Sequence, residues 1–342
     1  MLKKILLLAI LPFLFSSCVK EDREIITFSS WGSVTETQIL EKVINEFEKE
    51  NKDIKVHFIH IPQNYFQKIH LLFASRTEPD VIFVNNLYLP VYADKLLCLD
   101  EIFNFSDFYS QSIKALSFNG KIYAVPRDIS NFVVYYNKDI VGKELGDNIS
   151  FGEFDKLIRE NTTKNHFGVS FEPDIYSAEP YIMTLGYTKG IEYYRSLEGK
   201  YAPKPSDVGS STLTQMFLDK KIVFLLSGKW MYPKISERAD FDFGVVPFAG
   251  KVSADASGWA IAKSTKHRDA SIKFVKYMSS KECIDSFTKT GLIVPARIDS
   301  SKVLDNQKER AFLRAIENSE VVEIGKDYRK QRDEANKKLF NK

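Results

Sequence analysis

An α/β architecture is what this sequence predicts, and three observations carry the prediction. Strand-like and helix-like periods alternate over residues 24–84. Within that stretch Val81-Ile82-Phe83-Val84 is a continuous apolar run, which suits a parallel strand buried on both faces. The alternation then continues to the end of the chain with no Pro/Gly-rich linker. A length of 342 residues is enough for two lobes of ordinary domain size. Two lobes joined by several crossing strands explain the missing linker better than two beads on a string.

Taken in order, Glu24 to Phe28 is a β-rich run that ends at Ser29-Ser30-Trp31-Gly32. Ser33 and Glu36 have capping-box spacing, and Ile39, Leu40, Val43, Ile44 and Phe47 form the apolar stripe of the helix behind it. Ile54, Val56 and Phe58 alternate as a strand does, and Tyr65 to Ser75 reads as a helix. Farther on, Phe132 to Tyr136, Ile222 to Leu226, Phe243 to Pro247 and Trp259 to Ala262 are strand candidates. Helical spacing covers Phe151 to Arg159, Asp269 to Met278, Gln307 to Ile316 and the charged tail Asp327 to Leu339. Ligands of an open α/β sheet sit at the carboxyl ends of its strands. Trp31 follows the first strand, and Asn85, Asn86 and Tyr88 follow the third.

The N-terminus carries its own signal. Lys3 and Lys4 precede an apolar run from Ile5 to Phe15, and Ser16-Ser17-Cys18 follow. The run is shorter than the roughly 20 residues that span a bilayer, and it fits the core of a secretory leader. A cysteine after two small residues resembles the lipobox of bacterial lipoproteins, although Phe15 stands where that motif has Leu. The resemblance implies cleavage after residue 17, lipid on Cys18, and a tether over 18–24. Export to the periplasm or cell exterior with a lipid anchor follows as an expectation. An ordinary leader beside an unremarkable cysteine is the plainer alternative.

Composition excludes some classes. The net charge is +3, and loss of Lys3 and Lys4 lowers it by two, which argues against a nucleic-acid binder with a basic face. Cys98 and Cys283 match no zinc or redox spacing, so buried free thiols are expected, with a disulfide between them as the alternative. His57 and His60 are three apart on a strand and face opposite sides, a poor arrangement for a shared metal. No metal or other cofactor is expected. Ser286-Phe287-Thr288-Lys289 fits the Ser-x-x-Lys spacing of penicillin-interacting enzymes but lacks the partner motifs. A distant carboxylate pair for glycoside hydrolysis keeps an exported hydrolase as the rival from another class.

Short motifs along the chain then point to a family. They include Ile26-Thr27-Phe28-Ser29-Ser30-Trp31, Glu78-Pro79-Asp80-Val81-Ile82-Phe83, and Lys95-Leu96-Leu97-Cys98-Leu99-Asp100. Asn119-Gly120-Lys121-Ile122-Tyr123-Ala124-Val125-Pro126 and Val134-Tyr135-Tyr136-Asn137-Lys138-Asp139 follow. Ser227-Gly228-Lys229-Trp230, Phe243-Gly244-Val245-Val246-Pro247, Ser257-Gly258-Trp259 and Gly291-Leu292-Ile293-Val294-Pro295-Ala296-Arg297 complete the series. In order and spacing they resemble extracellular solute-binding proteins of the maltose-binding type. That resemblance implies the two-lobed, type II periplasmic-binding-protein fold, with the ligand cleft between lobes and hinge crossovers. It sets one α/β lobe at 25–128 plus 258–292 and a helix-rich one at 129–257 plus 293–342. The chain is short between Ser150 and Ser211, which puts contacts from the second lobe in doubt.

The resemblance further implies a monomeric, non-enzymatic carrier that delivers a small solute, a sugar first, to the permease of an ABC importer. Polyol phosphates, polyamines, metal ions and peptides are the alternative solutes. A sugar needs an aromatic ring against its C–H face and a partner for each buried hydroxyl. Trp31, Tyr88 and Trp259 are expected to stack on it while Asp128 pairs its hydroxyls. Asn85, Asn86, Trp230, Gly258 and Arg297 are the further candidates, Gly258 for close backbone approach. Each also has a plain reading: packing for the rings, turns for Asp128, the Asn pair and Gly258, a salt bridge for Arg297.

Overall fold

The computed structural model describes residues 23–147 and 149–340. The expected leader, Cys18 and the tether up to residue 22 lie outside them. Among the described residues no helix is long and apolar enough to cross a membrane.

The predicted first helix is Val34–Glu50, and its capping box is formed. Ser33 Oγ accepts from the Glu36 amide at 3.3 Å, and Glu36 Oε2 accepts from the Ser33 amide at 2.9 Å. This helix follows strand Glu24–Ser30 and leads to strand Ile54–His60, helix Tyr65–Ser75 and strand Val81–Asn85. The three strands are parallel, as their sequence pattern predicts. The sheet does not stay parallel, however. Its order is Val294–Pro295, Val125–Ser130, Asp255–Ile261, Val81–Asn85, Glu24–Ser30, Ile54–His60, and Asp255–Ile261 runs antiparallel to both neighbours. A strand that returns from the other lobe enters the sheet from the opposite end, which inverts its direction.

Both faces of this sheet are covered, so its strands divide their side chains between two cores. Phe28, Val81, Phe83 and Trp259 join one cluster, with Val43 and Phe47 of the first helix and Phe274 and Phe287. Ile82, Val84 and Ala260 join the other, with Tyr65, Ile69 and Tyr92. The period of two is thus hidden in an uninterrupted apolar run.

The second sheet is ordered Phe243–Pro247, Val133–Asn137, Ile222–Ser227, Phe167–Val169. Val134 and Tyr136 pack with Phe154, Leu157 and Ile158 of helix Phe151–Glu160. Val133 and Tyr135 face Ala311, Phe312 and Ala315 of helix Gln307–Glu317. The chain passes between sheets through Asn131 and Phe132 and returns through residues 248–254. Strand Asp255–Ile261 is longer than the expected Trp259–Ala262 and runs through the expected lobe boundary at 257/258. Val294–Pro295, expected in the second lobe, pairs with Ile129 and Asp128 on the edge of the first sheet.

Gly258 has a structural task. The register against Val125–Ser130 shifts between Ser257 and Gly258. A Cβ at Gly258 would stand 2.2 Å from the Val125 carbonyl oxygen and 2.9 Å from a Leu116 methyl. The close approach expected for a ligand is therefore made by the neighbouring strand. Cys98 is half-buried and its thiol donates to Asp100 at 2.8 Å, while Cys283 is buried; both are free. For Cys98 this differs from the expected buried thiol.

Trp259 is fully buried, with ring centroids 6.2 Å from Phe83 and 6.4 Å from Phe287. Trp259→Ala is expected to lower stability by about 3–5 kcal/mol, read from urea unfolding. A loss below about 1 kcal/mol would show that the indole does not hold this core.

Candidate functional site

Aromatic side chains gather at the carboxyl ends of strands in both lobes. On the first lobe Trp31 leaves strand Glu24–Ser30 and lies against Tyr65, Phe66 and Phe83 at centroid distances of 5.0, 5.3 and 4.4 Å. Phe66 in turn stacks on Tyr88 at 3.7 Å with planes 9° apart. Trp31, Phe66 and Tyr88 thus form one aromatic cluster, with Trp31 tilted 58° to Phe66 and Tyr88 covering a face of Phe66. Asn85 ends its strand as a turn residue, its Oδ1 accepting from the Tyr88 amide at 3.2 Å. A cavity of about 730 Å³ opens beside Phe66 and Tyr88, with Arg329, Lys330 and Asp333 of helix Tyr328–Phe340 across from them.

On the second lobe strands Phe167–Val169 and Ile222–Ser227 are parallel, and a cavity of about 560 Å³ lies at their carboxyl ends. Phe132, Ser170, Glu172, Tyr176, Ser227 and Trp230 line it. Phe132 lies 5.3 Å from the ring of Tyr176 and 6.3 Å from that of Trp230. Trp230 keeps 39% of its surface exposed, which leaves ring area for a ligand. Gly228 permits this placement, since a Cβ there would stand 1.9 Å from the indole.

Asp255 links the two lobes. Tyr176 donates its hydroxyl to Asp255 Oδ2 at 2.5 Å, and Asn86 Nδ2 donates to Oδ1 at 2.8 Å. Asn86 is buried, and its Oδ1 accepts from the Ala256 amide at 3.2 Å. Helix Tyr328–Phe340 supports this corner from the second lobe. Asp174 caps helix Ile175–Leu185 and accepts from Arg332 at 2.9 Å and Asn336 at 2.7 Å.

The remaining expected site residues are committed elsewhere. The indole of Trp259 is enclosed in the first core, so it has no face for a sugar. Asp128 is buried and accepts from Arg127 Nε at 2.7 Å, and Arg127 reaches Glu36 at 3.3 Å. Its carboxylate thus closes an internal ion pair, where a free hydroxyl partner was expected. Arg297 donates to both oxygens of Asp299 at 2.9 and 2.8 Å and to Asp107 at 3.0 Å, and it is a clamp between loops. The structure therefore places Tyr88 and Trp230 at cavities, leaves Trp31 half-buried beside Phe66, and adds Phe66, Phe132 and Tyr176 to the cavity linings. Phe66 had one signal in the sequence: it is apolar yet lies off the buried stripe Tyr65, Ile69, Phe73. Among the described residues no group of three or more His, Cys, Asp or Glu could hold a metal ion.

The chain has counterparts among known proteins. The model of the bacterial extracellular solute-binding protein family matches residues 31–282. A maltodextrin-binding protein of Bacillus subtilis strain 168 is 22% identical, over 85% of this chain and 78% of the relative. A multiple sugar-binding protein of Streptococcus mutans is 26% identical, over 78% and 74%. A solved ABC substrate-binding protein of Listeria monocytogenes, in complex with cycloalternan, superposes with TM-score 0.81 at 23% identity, covering 93% of each chain. That superposition carries the two-lobed fold.

Glu179 lies behind the cavity wall, on the same helix as Tyr176. Burial pushes its carboxyl up to about 7, the Asp255 charge adds to this, and Ser253 and Arg332 oppose it. Tyr176 and Tyr328 also feel its charge. The folded chain then keeps a proton that the unfolded chain releases near 4.5. The resulting stabilisation is complete below the unfolded value and is lost as pH rises to about 7. Glu179→Gln is expected to gain stability relative to the unaltered chain, by on the order of 3 kcal/mol between pH 4.5 and 8. Urea unfolding at the two pH values measures it, and an equal difference at both would remove Glu179 as the cause.

Proposed function

The chain belongs to the bacterial extracellular solute-binding proteins, and on that premise we propose that it captures a small carbohydrate between its two lobes. The observation that carries this reading is the exposed indole of Trp230 beside Phe132 and Tyr176 at the cavity of about 560 Å³ in the second lobe, with the half-buried Trp31 and Tyr88 on the first lobe. Flat aromatic faces suit the C–H faces of pyranose rings, and the hydroxyl and carboxylate groups of Ser170, Glu172 and Ser227 suit their edges. The maltodextrin-, multiple-sugar- and cycloalternan-binding relatives support the same solute class.

The work of the protein is then binding without bond-making. Ligand contacts to both lobes favour the closed arrangement by their differential affinity, and a membrane permease of the ABC type reads the closed surfaces. The protein acts as an exported monomer held at the membrane by lipid on Cys18. The lobe division at 25–128 plus 258–292 and 129–257 plus 293–342 is proposed with the two edge adjustments described above.

A thermal-shift screen over maltodextrins, other oligosaccharides, polyols, amines and metal ions tests the reading. A ligand at 100 times its Kd should add about 2.7 kcal/mol of stability. Trp230→Ala is expected to weaken the best sugar at least about tenfold, the loss of about 1.4 kcal/mol of stacking. Hits confined to amines or metal ions would reject a carbohydrate.

A further inference from the structure

Asp255 stands at a junction of three chain segments, and its partners differ in how firmly they are fixed. On the first-lobe side the grip is multiple. Asn86 donates to Asp255 Oδ1, accepts from the Ala256 amide, and donates its own amide to the Ala256 carbonyl at 3.0 Å. Its side-chain amide has no freedom to turn without breaking a bond. Strand Asp255–Ile261 is paired on both edges besides, with Asp255 opposite Ser130. The carboxylate is therefore a fixed feature of the first sheet.

On the second-lobe side the grip among the described residues is one hydrogen bond, from the Tyr176 hydroxyl at 2.5 Å, with the Arg332 charge favouring the carboxylate from farther away. Tyr176 is mounted rigidly, because Asp174, Arg332 and Asn336 tie down the start of its helix. Its ring lines the second-lobe cavity and touches Phe132, which lies on the outgoing crossover. Asp255 ends the returning crossover. A single bond thus joins a cavity wall of one lobe to the sheet of the other, at the place where the chain passes between them.

The carboxylate makes no ion pair within 4 Å among the described residues, and both of its oxygens are met by neutral donors. A buried carboxylate in that situation depends strongly on each donor, since losing one leaves charge without compensation. We propose that Asp255 is a positioning residue for lobe closure, holding the Tyr176 wall of the cavity at one angle to the first sheet. This rests on the solute-capture reading of that cavity. A solute pressing on the Tyr176 ring bears on the same hydroxyl, so occupancy and lobe angle are coupled through this bond. The coupling requires no contact between solute and Asp255.

The test needs no ligand. Spin labels at Lys68→Cys and Lys156→Cys, in a Cys98→Ser background, report the distance between the lobes in the ligand-free chain. With Tyr176 and Asp255 intact, one separation should dominate. Tyr176→Phe and Asp255→Asn should each shift the ratio of long to short separations by about tenfold, and the double variant should do no more than either alone. Tyr176→Phe keeps the ring and its packing, so it decides the matter if Asp255→Asn folds poorly in a thermal melt. Unchanged separations in Tyr176→Phe would overturn the proposal, as would fully additive effects in the double variant. A sugar screen without hits leaves this measurement intact, so failure of the carbohydrate reading and failure of the latch are separable.

Discussion

The structure depends on one strand pair, Val125–Ser130 against Asp255–Ile261. The chain leaves the first sheet at the end of one strand and re-enters at the start of the other, so these two crossovers spring from adjacent positions, and a third runs from Val294–Pro295 to helix Gln307–Glu317. Each lobe then has its own sheet with both faces covered, and the lobes are held together where these strands meet. Gly258 sustains this arrangement, because only a residue without Cβ lets the backbone reach the Val125 carbonyl at the register shift. Two separately packed sheets joined by crossovers are the physical precondition for closing on a solute.

Charge is buried mainly where segments from different parts of the chain must be held in register. Arg127 sits between Asp128 and Glu36, with its guanidinium 4.3 Å from the ring of Phe83. Asp174 gathers Arg332 and Asn336 from the C-terminal helix. Lys229, buried beside Trp230, meets Glu309 at 2.8 Å. Such pairs add little net stability over an apolar replacement, but breaking one leaves an uncompensated charge. Asp255 differs from them in that both of its oxygens are met by neutral donors.

The aromatic residues divide by the same logic. Trp259 and Tyr194 fill cores, whereas Trp31, Tyr88 and Trp230 are only partly enclosed. A ring that stacks on a solute must be supported from behind and open in front. Phe66 and Phe132 supply part of that support, on a helix and on a crossover respectively. The capture function follows from partial burial and support, and the same residue types elsewhere are packing.

Local order was legible from the residues alone. The Ser33–Glu36 capping box, helix Tyr65–Ser75 and the doubly buried strand at Val81 are short-range patterns, set by periodicity and capping chemistry that act within a few residues. The family motifs extended that reading to two lobes and to a solute-binding role. Tertiary structure decided what each polar or aromatic residue does. Asp128 and Arg297 were turned inward by Arg127 and by Asp299, and Trp259 was swallowed by the pairing of its strand with Val81–Asn85. Tyr176, Asn86 and Asp255 come together from positions 79 and 169 residues apart in the chain. No periodicity records such a meeting, because it is fixed by how sheets and crossovers stack and not by neighbours along the backbone.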